Sequence, residues 1–339
     1  MRPTGANDDA PPATLAPTRA LGRSTVFVSP LSLGTAALGG LFSHVDDAEA
    51  RAVVHCALQL GLTYVDTAPQ YGHGTSERRL GLALAEASTY SVVVSTKVGR
   101  LIVHREGADT GIFVDAPPSD AVFDFSAAGI ERSLAESLDR LGLSRVDIVY
   151  IHDPDDHADQ AIGEAFPVLA QLRAEGVVGA IGVGMNSTEV PLRFVRETDI
   201  DVVLLAGRWS LLDRTGGDEL LPECARRGVG VVVGGVFNSG LLADPRPGST
   251  YDYRPAPAHL VEQAQRLAAV CAEYGVSLPA AALQFPFRHP AVTSVLTGAR
   301  SVIELEANVA AFHADLPQVL WADLDAVLET VLDSRVDPR

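Results

Sequence analysis

Residues 64–77 read Tyr64-Val65-Asp66-Thr67-Ala68-Pro69-Gln70-Tyr71-Gly72-His73-Gly74-Thr75-Ser76-Glu77. A short apolar run closes on a carboxylate, a loop bearing Pro and Gly carries a tyrosine, and an amphipathic stretch, Ser76–Ala85, follows. This is a strand–loop–helix unit with two polar groups at the strand's exit. The same unit recurs along the chain. Strands are expected at Leu31–Gly34, Tyr64–Asp66, Ser91–Lys97, Val146–Ile151, Ala180–Val183, Val202–Leu205, Gly230–Val233 and Val292–Leu296. Helices are expected at Asp46–Leu60, Ser76–Ala85, Ala127–Leu141, Ala158–Glu175, Glu189–Arg196, Asp218–Arg227, His259–Tyr274 and Ser301–Ala311. An extra helix, Leu278–Phe287, precedes the last strand, and Trp321–Leu332 should cap the C-terminus.

The strands are apolar runs rather than alternating patterns, as expected of parallel strands covered on both faces. No linker divides the chain and no repeat is found. The expected fold is therefore α/β: a single-domain (β/α)8 TIM barrel over residues 19–339, behind a disordered tail, 1–18, rich in Pro, Ala, Thr and Asp. Two irregular stretches, Val98–Phe125 and Asn238–Ala258, follow strands and emerge at the barrel's C-terminal face, where active sites form.

Three candidate polar residues end successive strands: Asp66, Lys97 and His152; Tyr71 stands just beyond Asp66. Barrel closure brings such residues to one mouth although they are far apart in sequence. Lys97 is the only lysine among 26 Lys and Arg residues, so a generic surface role for it is disfavoured. The four types together suit hydride chemistry at a carbon bearing oxygen, which needs a proton carrier at that oxygen. A free tyrosine, with pKa about 10, is too weak an acid for that task near neutrality. A neighbouring ammonium should pull Tyr71 below that value, with Asp66 orienting Lys97 and His152 holding the substrate oxygen.

Composition narrows the alternatives. A net charge of −17 repels a phosphate backbone, which disfavours nucleic acid. No apolar run approaches the ~18 residues that span a bilayer. The N-terminus lacks the basic start and apolar stretch of a secretory signal. Cys56, Cys224 and Cys271 are odd in number and widely spaced, which fits buried thiols in a reduced cytoplasmic protein. The run His152, Asp153, Asp155, Asp156, His157 invites a metal reading, but no further His or Cys cluster supplies complementary ligands, so no metal is expected. No GxGxxG fingerprint accompanies the glycine runs Gly179–Gly184 and Gly228–Gly235, which disfavours a Rossmann domain. A barrel can instead hold phosphates with its last loops, here Val236–Leu242 (Val236, Phe237, Ser239, Leu241) and Gly298–Ser301 (Gly298, Arg300, Ser301). Gly34 and Thr35, at the first strand's exit, join that candidate set.

Residues 64–77, together with Ser95-Thr96-Lys97 and Ile151-His152-Asp153, resemble the signatures of the aldo-keto reductase family, and the similarity runs from about Leu21 to Asn308. The resemblance implies a barrel using NAD(H) or NADP(H), with Asp66, Tyr71, Lys97 and His152 as catalytic tetrad. Further motifs resemble the family's aldose 1-dehydrogenases, and the pyridoxal-oxidising members are similar to that group: Lys97-Val-Gly-Arg-Leu101, Ile151-His-Asp-Pro-Asp155, Leu205-Ala-Gly-Arg208 and Gly234-Gly-Val-Phe-Asn-Ser-Gly-Leu241. Both groups oxidise a cyclic hemiacetal to a lactone with a small-molecule substrate. Where the family often has Ser-Asn, this chain has Gly184-Met185, with Asn186 one position on as candidate for the nicotinamide carboxamide. Ala206 stands for a common Gln, and Trp209 where an aromatic often stacks on the nicotinamide. Substrate contacts are expected from Arg100, His73, Tyr251 and Tyr253. Family members that prefer NADP place basic residues where this chain has Gly298 and Glu304; Asn308 keeps the adenine contact, and Arg300 is the one local cation. NAD is therefore expected over NADP. A non-catalytic cofactor-sensing module and a metal-dependent barrel hydrolase are the competing classes; the complete tetrad argues against the first.

Overall fold

The computed structural model describes residues 17–87 and 90–335. The tail expected over 1–18 thus falls outside the described residues, save for Pro17 and Thr18.

Eight parallel strands close into a barrel. They are β1 (Leu31–Gly34), β2 (Tyr64–Asp66), β3 (Val93–Val98), β4 (Ile148–His152), β5 (Ala180–Met185), β6 (Val202–Ala206), β7 (Gly230–Gly234) and β8 (Val292–Gly298). The seam is the β8–β1 ladder, which runs from Val295 opposite Leu31 to Gly298 opposite Gly34. Alternate residues of each strand face the axis. Tyr64, Ile148, Tyr150, Val202, Leu204, Val232 and Leu296 pack there as the inner core. The outward set, including Val65, Val149, Ile181, Val203 and Val231, packs beneath the helices.

The helical layer is α1 (Asp47–Gln59), α2 (Thr75–Glu86), α3 (Ala127–Leu141), α4 (Phe166–Ala174), α5 (Glu189–Glu197), α6 (Leu220–Arg227), α7 (Ala258–Glu273), α8 (Leu278–Gln284), α9 (Val302–Phe312) and α10 (Val319–Arg335). Local chemistry sets the ends. Asp46 accepts the Glu49 amide at the start of α1, and Ser126 accepts the Gly129 amide at the start of α3. Gly142, at φ 63°, ends α3 in the left-handed conformation that a glycine adopts without penalty.

Four features depart from expectation. The helix expected over Ala158–Glu175 is broken by a π turn, Ala161–Ala165, ahead of α4. Pro167 has no N–H for the Gly163 carbonyl, and its ring excludes that carbonyl from a regular turn. The stretch 98–125 is not irregular throughout: Arg100–His104 pairs antiparallel with Ser119–Phe123. A shorter ribbon, Thr250–Tyr251 with Arg254–Pro255, stands in the segment after β7. A third hairpin, Arg19–Ala20 with Phe27–Val28, plugs the N-terminal end of the barrel with Leu21, Val26 and Val28. Its turn at Gly22 (φ 56°) lies so close to β6 and β7 that a Cβ would stand 2.3 Å from the Asp201 carbonyl oxygen. The closed floor leaves the C-terminal mouth as the open end.

Candidate active site

Strand β2 turns Tyr64 and Asp66 inward, β3 turns Ser95 and Lys97 inward, and β4 turns Tyr150 and His152 inward. Each pair is two residues apart on one face. Their polar groups form one chain. The Tyr64 hydroxyl lies 3.0 Å from both the Tyr150 hydroxyl and Ser95 Oγ. Ser95 Oγ donates to Asp66 Oδ1 at 2.6 Å. Lys97 Nζ meets three acceptors: Asp66 Oδ2 at 2.6 Å, the Thr67 carbonyl at 2.9 Å and Tyr71 Oη at 3.1 Å. An ammonium has three donors, so Lys97 is fully satisfied. Asp66 and Lys97 are 2% and 1% exposed, and an ion pair that deep is held only by such complete bonding.

Tyr71 is not on a strand, so its loop must be fixed another way. Gly39 and Gly72 (φ 59°) approach so closely that a Cβ on Gly72 would stand 2.2 Å from the Gly39 carbonyl oxygen. That contact presses the Tyr71 loop against the segment after β1. Behind it, buried Glu77 accepts from Thr96 Oγ1 at 2.7 Å and Arg140 Nε at 2.6 Å, tying α2 to β3 and α3. The His152 ring stands perpendicular to Tyr71, centroids 6.2 Å apart. The structure thus brings all four expected residues together.

The electrostatics correct one expectation. Burial pushes the Tyr71 phenol up to about 12; the Lys97 ammonium pulls the other way without overcoming it. Burial likewise opposes the charge on Lys97, but Asp66 and then Tyr71 outweigh it and hold the ammonium above its ordinary pKa. His152 is pushed well below the usual imidazole value by burial, then by Arg100 and Lys97, so it is neutral near pH 7. Its Nδ1 is buried without a partner among the described residues.

The expected cofactor contacts divide. Gly34 and Gly298 face each other across the β8–β1 seam, and a Cβ on either would meet nothing nearer than 3.8 Å, which leaves an open groove. The loop after β7 is left-handed at Gly235, Asn238, Ser239 and Gly240. Among the described residues, the amides of Val236, Phe237 and Ser239 have no protein acceptor. Unpaired backbone donors in such a loop can form an anion-binding concavity. The side chains of Val236 and Leu241, by contrast, are buried in the core, so only the backbone of that loop is available. Phe237 is half-buried against both core clusters. Ser239 Oγ accepts the Tyr253 amide at 3.0 Å. Asn186 is exposed just past β5, with its carbonyl held by Arg208 Nε at 2.7 Å. Ser301 caps α9, and Asn308 Nδ2 donates to Thr297 Oγ1 at 2.9 Å and the Gly298 carbonyl at 3.2 Å.

Two further cofactor candidates are engaged in contacts within the protein. Thr35 is fully buried, its hydroxyl spent on the Asp66 carbonyl at 2.9 Å and on Ser76 Oγ at 2.7 Å. Trp209 has a packing role: its indole donates to the Pro286 carbonyl at 3.0 Å, and its ring contacts are with Phe285 and His289. Position in sequence placed both near the mouth without saying which way they point.

The substrate candidates also divide. Arg100 and Tyr253 belong to the mouth. Tyr253 lies 6.1 Å from Phe42, ring to ring. Burial and then the Asp153 carboxylate raise its phenol, while Lys97 lowers it. His73 is 5% exposed, and its Nδ1 meets Ser119 Oγ at 2.9 Å, so it braces the 100–123 hairpin instead of facing the mouth. Tyr251 turns to Asp213 at 3.3 Å, against the cluster formed with α7 and α8. Ser95 and Asp153, which their motifs include without a role in the mouth, also belong to the site. Ser95, two residues from Lys97 on one strand, was findable from strand period alone. Among the described residues no group of three or more His, Cys, Asp or Glu is set to hold a metal ion.

A closed barrel with a buried, lysine-tethered tyrosine at its mouth and a neutral histidine beside it defines an oxidoreductase of the NAD(P)-dependent barrel class. The chain belongs to the aldo/keto reductase family, whose profile matches residues 30–329. It is 43% identical over 303 residues to D-threo-aldose 1-dehydrogenase of a Pseudomonas species, covering 87% of this chain and 92% of the relative. It is 41% identical over 330 residues to pyridoxal 4-dehydrogenase of Microbacterium luteolum, covering 90% and 96%. Among solved structures, an aldo-keto reductase from Bacillus halodurans in its holo form superposes with a TM-score of 0.72 at 27% identity, covering 91% of this chain and 95% of that one.

Proposed function

We propose that the protein oxidises the cyclic hemiacetal of an aldose at C1 to a lactone. The observation that carries this reading is the Asp66–Lys97–Tyr71 chain of 2.6 and 3.1 Å bonds at the mouth. The 43% identity to an aldose 1-dehydrogenase supports an aldose as the substrate. A bound oxidised nicotinamide supplies the hydride acceptor. Tyr71 Oη takes the O1 proton as the C1–H bond breaks, Lys97 stabilises the phenolate that accepts it, and Asp66 keeps Lys97 in place. Neutral His152 hydrogen-bonds O1 and sets its direction, and C1–O1 closes to the lactone carbonyl. Asn186 suits the carboxamide, the amides of Val236, Phe237 and Ser239 the phosphates, and Asn308 the adenine. The test is absorbance at the NADH band with NAD+ and L-fucose, D-arabinose, L-galactose or pyridoxal, with lactone identified as product. Aldose-dependent NADH is expected, and its absence across the panel would overturn the reading. The second reading, pyridoxal to its lactone, has the 41% relative in its favour and uses the same groups. Barrel residues 19–339 act as one unit, and the unpaired thiols Cys56, Cys224 and Cys271 suit a cytoplasmic site of action.

The pH dependence follows from the sign of the tyrosine shift. Oxidation needs Tyr71 deprotonated, and in the free protein its phenol sits at about 12. The competent fraction therefore climbs with every pH unit below that value. With chemistry rate-limiting, kcat/KM should rise steadily from pH 7 to 10; a flat profile would count against Tyr71 as base.

Cofactor preference rests on two carboxylates near the start of α9. Glu304 binds Arg300 side chain to side chain at 2.9 Å and also accepts its amide at 2.9 Å. Glu49, reaching over from α1, accepts the Val302 amide at 3.1 Å. A 2′-phosphate would have to displace both anions to reach the one local cation and the helix end. NAD+ is expected to exceed NADP+ in kcat/KM, and Glu304→Arg should narrow the gap. A native enzyme that strongly prefers NADP+ would point instead to Arg300 as a phosphate clamp.

A further inference from the structure

Next to His152 the backbone is strained. Asp153 has φ 44°, a left-handed value uncommon for a residue other than glycine. Its amide donates to the Gly184 carbonyl at 3.1 Å, which pins that conformation. Such outliers persist where the surrounding structure enforces them, commonly at functional sites. The strain delivers the carboxylate to one place. Oδ2 lies 2.5 Å from Arg100 Nη2 and 3.5 Å from His152 Nε2. Oδ1 has no protein donor among the described residues. Arg100 is held by its own strand in the 100–123 hairpin, with its guanidinium 4.6 Å above the Phe123 ring, and its Nε is buried without a partner among the described residues. A salt bridge that satisfied itself would leave neither a free carboxylate oxygen nor an orphaned guanidinium nitrogen.

We propose that the Arg100–Asp153 pair reads the hydroxyl on the carbon adjacent to the reacting carbon, so that the enzyme selects aldoses with a free C2 hydroxyl. The inference rests on the aldose reading above. When O1 lies against His152, the neighbouring O2 comes within reach of Asp153, because vicinal oxygens lie within hydrogen-bond distance of each other and Asp153 Oδ2 is 3.5 Å from His152 Nε2. The carboxylate accepts the O2 proton while the guanidinium donates to the oxygen. A paired acceptor and donor suit a hydroxyl, which has both functions. Pyridoxal has no hydroxyl on the carbon next to its reacting carbon, so it forgoes this contact. A site built to hydrogen-bond a hydroxyl rejects the analogue that lacks it far more strongly than an apolar pocket rejects a missing methylene.

The test compares D-arabinose with 2-deoxy-D-ribose, its counterpart without O2, in the native enzyme and in Asp153→Asn, at saturating NAD+. Asparagine tolerates the left-handed backbone, so the variant should keep the local fold. A hydrogen bond to a charged group predicts a native kcat/KM ratio favouring D-arabinose by about ten- to a hundredfold. The ratio should collapse toward one in the variant. If Asp153 merely props His152, both sugars slow together, the ratio survives and the inference falls. A native ratio near one overturns it as well. Turnover of pyridoxal with neither sugar oxidised overturns the aldose reading itself, an outcome distinct from sugars oxidised without discrimination. Arg100→Lys provides a second check: it keeps the charge, loses the fork geometry and should also shrink the ratio.

Discussion

Tyr71→Phe should lower turnover by at least 10²–10⁴-fold, the range that general acid–base groups contribute, while leaving the barrel and cofactor affinity intact. The loop holding Tyr71 is fixed by backbone contacts, Gly39 against Gly72 and the Tyr71 amide to the Ala68 carbonyl at 3.1 Å. None of these needs the hydroxyl. The ring survives in phenylalanine, so its contacts with Phe113 and His152 remain. What is lost is the one group that Lys97 shares with the mouth. Lys97 keeps Asp66 and the Thr67 carbonyl, so the melting temperature should move little. Cofactor titration by fluorescence and single-turnover hydride transfer separate the two effects. Near-native turnover in Tyr71→Phe would transfer the proton to another group, and neutral His152 would be the candidate.

The same residues show what a sequence discloses. Eight apolar strands, each followed by a helical pattern, leave little freedom, because parallel strands buried on both faces must be covered by their own crossovers. Asp66, Lys97 and His152 were legible because topology alone takes strand ends to one mouth. The N-terminal plug was not: its strands are two residues each, too short for any periodicity. The 100–123 hairpin was hidden by a segment dense in Gly, Pro and Asp between its arms. Thr35 and Leu241 lie at the expected places in the chain but bury their side chains, and direction is a property of packing. The acidity of Tyr71 failed in another way. The neighbour that lowers it could be named from the sequence, but the burial that raises it depends on how tightly the loops close around the phenol.

Lys97 gives the second large effect, and two substitutions divide its roles. Lys97→Met keeps much of the volume and removes the charge. Among the described residues, Asp66, 2% exposed, then keeps only Ser95 as donor to its carboxylate. Leaving a buried charge without its partner costs about 3–5 kcal/mol, so the melting temperature should fall by several degrees. Turnover should fall with it, and the rise of kcat/KM should move to higher pH, because the ammonium that opposes the upward push on Tyr71 is gone. Lys97→Arg keeps the charge but asks a planar fork to enter a site 1% exposed and bounded by Asp66, the Thr67 carbonyl and Tyr71. Overpacking of that kind costs roughly 1–3 kcal/mol and displaces the phenol, so activity should be lost although the charge is retained. The double variant Asp66→Asn with Lys97→Met completes the argument. Removing both members of a buried pair is often near neutral for stability, so the melting temperature should recover while turnover does not. Recovery of both would mean that the pair serves the fold alone; recovery of neither would mean that Asp66 also has a structural partner in Ser95 that asparagine cannot replace.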